Sequence, residues 1–197
     1  MISIIMSTMS FTFWSGLSVL ILTVPSNLPA ATIYSTTLRG VNEVPPNGSP
    51  GTGSATVTLN GDMLSVNETF SGLTAPAAAA HIHCCVPPGV NAVVAVPFPG
   101  FPAATSGTYI QVFDLTLLST YLPAFVSANG GTAASAEAAL IAGLNGGLTY
   151  ANIHNTPFPG GEIRGQLQAI PEPATAGLLL LGLTPIIAVA RKRAKRE

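Results

Sequence analysis

Residues 54–70 read Ser54-Ala55-Thr56-Val57-Thr58-Leu59-Asn60-Gly61-Asp62-Met63-Leu64-Ser65-Val66-Asn67-Glu68-Thr69-Phe70. On both sides of Asn60-Gly61, apolar residues alternate with small or polar ones, the period-two mark of a strand with one buried face. Asn and Gly tolerate the positive φ that a tight hairpin turn requires. The stretch therefore predicts two antiparallel strands, Ser54–Asn60 and Met63–Phe70. Similar segments punctuated by Gly and Pro lie at Thr32–Leu38, Ala79–His83, Ala92–Val96, Thr108–Leu115, Leu148–Ile153 and Glu162–Gln168. One helix is expected at Ala136–Leu144, opened by Ser135 and closed by Asn145-Gly146-Gly147. A weaker helical turn falls near Leu117–Ser127. The predicted fold is mainly β: an antiparallel β-sandwich or partly closed barrel with one short helix.

Composition supports a turn-rich β domain, with 20 Gly, 17 Pro and 48% hydrophobic residues in 197. Charged residues make up only 8%, too few for a disordered tail or a coiled coil. Between Thr32 and Ala169 there are two arginines, no lysine and six acids, leaving four net negative charges. Nucleic acid is excluded as a partner of that segment, because binding it requires a cationic footprint. With only two cysteines, adjacent in the chain, no multi-bridge scaffold is available, and apolar packing must hold the core.

The two ends carry address-like patterns. Residues 2–24 contain no ionisable side chain and precede Pro25, Pro29 and the small pair Ala30-Ala31. Residues 1–31 read as a secretory signal peptide, with an uncleaved anchor as the alternative. Residues 170–197 have three parts: Pro171-Glu172-Pro173, an uncharged run from Ala174 to Ala190, and a basic cluster of Arg191, Lys192, Arg193, Lys195 and Arg196. The run, as a single transmembrane helix at ~1.5 Å per residue, would be slightly short for a ~30 Å hydrocarbon core. The cations would stop it on the cytoplasmic side. Each proline fixes its own φ and disfavours helix before it, so the tripeptide would stand extended at the membrane surface. This tail resembles the PEP-CTERM sorting signal of Gram-negative bacteria, and the resemblance implies processing by an exosortase-type enzyme and delivery to the cell surface or beyond. A plain single-pass anchor with a Pro-rich linker remains the other reading.

Three sets of residues between the addresses carry candidate chemistry. His81 and His83 are two apart, which on a strand puts both rings on one face, and His154 ends a second Ile-His segment. Three imidazoles suit Zn or Cu, and Cys84 or Cys85 would shift the preference toward Cu(I). Such binding should fade below roughly pH 6. Rings that merely cap loops through backbone carbonyls are the alternative. Cys84 and Cys85 can close a vicinal disulfide in an exported protein, stiffening the turn after His83, or remain as thiols. Arg39, Glu43, Glu162 and Arg164 are read as structural ion pairs, since pairing uses both guanidinium groups. No nucleophile, base and orienting group can be recognised together, so no catalytic residue and no required cofactor are expected.

Four ordered motifs carry a family resemblance across the body, residues 32–169. They are Leu38-Arg39-Gly40-Val41-Asn42-Glu43-Val44-Pro45-Pro46, Ala80-His81-Ile82-His83, Tyr150-Ala151-Asn152-Ile153-His154 and Gly160-Gly161-Glu162-Ile163-Arg164-Gly165-Gln166-Leu167. They resemble those of the CHRD domain, first named in chordin and common in bacterial secreted proteins. Cys84-Cys85 departs from the family, which more usually has Gly and a small residue there. The resemblance implies an exported binding domain rather than an enzyme, its partner an exopolysaccharide or other matrix glycan, or a protein. A metal-binding, redox-active secreted protein centred on the three histidines is the alternative.

Overall fold

A computed structural model describes residues 31–171. The expected signal segment before Ala31, Glu172, Pro173, the apolar run and the basic cluster at Arg191, Lys192, Arg193, Lys195 and Arg196 lie outside the described residues. Among the described residues, no helix is long and apolar enough to cross a membrane.

The hairpin forms as β2 (Thr52–Asn60) and β3 (Met63–Ser71), in register from Thr52↔Ser71 to Asn60↔Met63. Because Asn60 pairs with Met63, the two-residue turn is Gly61-Asp62 rather than Asn60-Gly61, and Gly61 takes the positive φ (57°). The other strands are β1 (Thr32–Arg39), β4 (Ala77–Cys84), β5 (Val93–Pro97), β6 (Gly107–Asp114), β7 (Tyr150–Asn155), β8 (Ile163–Gln166) and β9 (Gln168–Ala169). The expected last strand is thus split at Leu167, which is buried in the core and donates its N–H to Thr149 O.

All nine strands belong to one sheet, in the order β5-β4-β7-β8-β1-β2-β3-β6, with β9 alongside β1. Every pairing is antiparallel. The architecture is a half-barrel formed by one curled sheet, so of the two expected forms the partly closed barrel stands and the two-sheet sandwich does not. Its concave side is the core, filled by Leu38, Val57, Leu64, Ile82, Ile153 and their neighbours. At the open seam, Phe98 follows β5 and stacks on Tyr109 and Phe113 of β6, with ring centroids 5.1 and 5.9 Å apart. Side chains, not ladder bonds, draw the two ends of the sheet together.

Two α-helices form: α1 (Pro123–Ala128), packed on β5 where the weaker helical turn is expected, and α2 (Ala133–Asn145), the expected helix, packed on α1 and β9. The cap of α2 is Thr132, not Ser135. Ser135 N–H donates to Thr132 Oγ1 (3.1 Å), while Thr132 N–H donates to Ser135 Oγ (3.2 Å), a reciprocal box that satisfies two otherwise free donors. Ser135 has the right chemistry but sits one turn inside the helix.

Candidate metal centre

Alternation along β4 sends Ala80, Ile82 and Cys84 into the core and turns His81 and His83 to the convex face. On β7, Ala151 and Ile153 point inward, leaving Tyr150, Asn152 and His154 on the convex face. Register then decides what meets. His81 lies opposite Asn152, His83 opposite Tyr150, and Ala79 opposite His154. The three rings gather around Asn152, with centroids 5.1 Å apart for His81–His154, 5.6 Å for His81–His83 and 6.1 Å for His83–His154. One nitrogen from each ring lies within 4.8 Å of the others. In a tetrahedral site with bonds near 2.05 Å these atoms would stand about 3.3 Å apart, so a bound ion would draw the rings inward by about 1 Å.

Although convex, this face is not solvent-washed. The loop 85–92 folds over it: Asn91 Nδ2 donates to Val44 O (2.9 Å) and Ala92 N–H donates to the Tyr150 hydroxyl (3.0 Å). A carbonyl, which can only accept, sets the tautomer of His83: its Nδ1–H donates to Ala92 O (2.8 Å), leaving Nε2 as a lone pair, the usual way a protein aims an imidazole at a metal. His154 Nδ1 lies 3.0 Å from Pro159 O, which orients that ring with its Nε2 toward Asn152. Among the described residues, His83 Nε2 and His81 Nδ1 are buried without a hydrogen-bond partner. Burial, reinforced by the neighbouring rings, pushes His81 down to about 4. Burial also takes His83 down to about 4 and lowers His154. All three rings are therefore neutral at pH 7.

Behind His83 stands a stack: Tyr150 lies parallel to its ring at 4.6 Å, and the Arg164 guanidinium covers the far face of Tyr150 at 3.3 Å. Arg164 donates to Asn91 Oδ1 (2.9 Å) and Val90 O (2.7 Å), so it fastens the covering loop as well as the stack. On the other side, His81 forms part of the rim of an open groove of about 660 Å³ between β4, the Pro97–Phe101 loop and β6.

The remaining candidates are placed differently from the sequence expectation. Cys84 and Cys85 are joined as a vicinal disulfide, but both sulfurs lie against α2, 3.9 and 3.4 Å from Ala139 O. These are contacts, since a disulfide has no proton to donate. Lying away from the triad, the sulfurs do not soften its donor set toward Cu(I).

Of the four residues expected to form ion pairs, Arg164 and Glu43 act on each other through their charges, while Glu162 takes other partners. Arg39 is exposed on β1 and stands in register with Arg164. Glu162 instead accepts from Ser49 Oγ (2.6 Å), Thr74 N–H (2.7 Å) and Asn155 Nδ2. Glu43 is buried beside Asn152. Burial pushes its carboxyl up to about 7, against the lowering influence of the Arg164 charge and the Asn152 amide. Although two residues from Arg164, Glu162 precedes β8 and turns into the 47–49 and 74–75 loops. Asn152 and Tyr150 were not among the candidates. Their signal was the same alternation that singled out the histidines, counted two and four residues back from His154.

A curled antiparallel sheet with a loop-covered histidine cluster on its convex face defines a β domain with a built polar site. Residues 34–167 match the CHRD domain model, and the chain belongs to that family. No curated protein and no solved structure matches the chain.

Proposed function

We propose that the chain is an exported, non-catalytic CHRD domain that holds one Zn or Cu ion on His81, His83 and His154. One observation carries the metal reading: three neutral imidazoles from two strands converge within 4.8 Å, two of them oriented by backbone carbonyls so that Nε2 faces inward. Rings that only capped loops would need one hydrogen bond each and no convergence. Zn²⁺ and Cu²⁺ both suit imidazole donors, and the position of Cys84 and Cys85 argues against a thiolate-selected Cu(I) site.

The full-length protein, loaded with Zn²⁺ or Cu²⁺ and dialysed, is expected to retain one equivalent. The His81→Ala/His83→Ala/His154→Ala variant should retain background only. Equal retention by both proteins would overturn the metal reading.

Export rests on the sequence pattern of residues 1–31. Sorting rests on Pro171-Glu172-Pro173, the apolar run and the basic cluster, which together suit an exosortase-type enzyme acting at the inner membrane. Outside a Gram-negative cell, its partner would be a matrix glycan or a protein.

A further inference from the structure

We infer that Asn152 Oδ1 is a fourth ligand, which closes the histidine site around the metal and leaves no position for an exogenous reactant. This rests on the metal reading above and deepens it. Asn152 is 2% exposed and occupies the centre of the cluster, opposite His81 on one side and Arg164 on the other. Its Oδ1 is 2.9 Å from His154 Nε2, and the amide also faces His83 and Glu43. In the structure the oxygen end of the amide faces His154.

The proton count then becomes decisive. His154 Nδ1 faces the Pro159 carbonyl, which has no proton to give, and Nε2 faces Asn152 Oδ1, which has none either. A neutral imidazole carries one N–H, so it can satisfy only one of these acceptors. With Nδ1–H on Pro159, the Nε2 lone pair meets an oxygen lone pair at hydrogen-bond distance. Beside them lie His83 Nε2 and the His81 ring, whose buried nitrogens lack partners among the described residues. Acceptor atoms of His154, His83 and Asn152 thus crowd one spot, with the His81 ring beside them. A cation bonded to all four removes the conflict, and the 2.9 Å separation of Nε2 and Oδ1 is close to the edge of a four-coordinate site. Three neutral imidazoles with one amide oxygen form a harder donor set than imidazole alone, favouring Zn²⁺ or Cu²⁺ over Cu(I). A site with four protein ligands is the structural type, whereas three with an open position is the catalytic type.

Co²⁺ as a spectroscopic probe tests this on the full-length protein. The wild-type Co²⁺ form is expected to show the intense visible bands of a four-coordinate site and to be unchanged by added azide. Asn152→Leu should bind Co²⁺ about ten-fold more weakly or worse, and its spectrum should shift with azide, which enters the vacated position. Asn152→Asp keeps an oxygen at the same place and should remain azide-insensitive. An azide-induced shift in the wild-type spectrum would overturn the inference without needing any variant. So would an Asn152→Leu protein that matches wild type in both affinity and azide response. A wild-type protein that takes up no Co²⁺, Zn²⁺ or Cu²⁺ would instead defeat the parent metal reading and this inference with it.

Discussion

Glu68 is the residue most at odds with its surroundings. Alternation along β3 puts it on the core side between Val66 and Phe70, fully buried, and among the described residues neither carboxyl oxygen has a hydrogen-bond partner. Tyr109 lies opposite in register, but its hydroxyl already donates to Pro99 O (3.2 Å). Burial pushes Glu68 up to about 8, so the folded state keeps its proton where the unfolded chain has lost it. A carboxyl whose folded pKa is raised loses stability as pH rises from about 4.5 to about 8, by up to ~1.4 kcal/mol per unit. His81 and His83 act in the opposite direction. Their lowered values mean that only the unfolded chain takes up protons as pH falls from 6.5 toward 4, so stability drops there. Glu68→Met should therefore remove the fall in stability between pH 6.5 and 8 and steepen the rise between pH 5 and 6.5, where the carboxyl and the histidines oppose one another. Urea denaturation at pH 5, 6.5 and 8 checks this, and parallel wild-type and variant profiles would show that Glu68 is not the source. In the sequence, Glu68 stands out only as an acid on an apolar register position, and nothing local shows whether a partner waits across the core.

At the scale of elements, the hairpin and α2 show where local reading succeeds and where it slips. The alternation in β2 and β3 located both strands, because period two is a property of neighbouring residues. The turn slipped by one position, since pairing of Asn60 with Met63 is decided across the ladder. The α2 helix has a second constraint, invisible in its own sequence: a Cβ on Gly143 would collide with Cys84 Sγ and come close to Cys85 Sγ and Thr149. Gly143 is thus where the vicinal disulfide is seated against the helix. Alanine in a helix interior is ordinarily favoured over glycine by up to ~1 kcal/mol, whereas overpacking a filled core costs ~1–3 kcal/mol. The collision involves a rigid pair of sulfurs rather than a flexible side-chain end, so overpacking should win. Gly143→Ala is expected to lower the thermal midpoint, and an unchanged or raised midpoint would show that the contact relaxes freely.

For the whole molecule, the half-barrel keeps its chemistry on the outside and protects it with loops. The same loop that seats Ala92 on His83 is fastened by Arg164 and Asn91, so assembly of the sheet and burial of the site occur together. Delivery is a separate matter, confined by the proposed reading to the ends of the chain. Glu172→Ala, or removal of residues 191–197, should leave unprocessed protein associated with the cell while the folded body and its metal content stay as in wild type. Fractionation with intact-mass measurement checks this. Normal release and processing of both variants would defeat the tail reading.

By itself the sequence determined the β-rich class, most of the strands, the shared face of His81 and His83, and the negative charge balance of the body. Each of these follows from the order of neighbouring residues or from their sum. Only the tertiary structure decided that one curled sheet replaces a sandwich, that β4 and β7 pair in the register that brings His154 to the other two rings, and that Asn152 lies among them. It also decided that the cysteines turn to α2 and that Arg164 finds a carbonyl, an amide and an aromatic ring. Alternation states which face a side chain occupies, but strand register sets what it meets there, and register is fixed between segments some 70 residues apart.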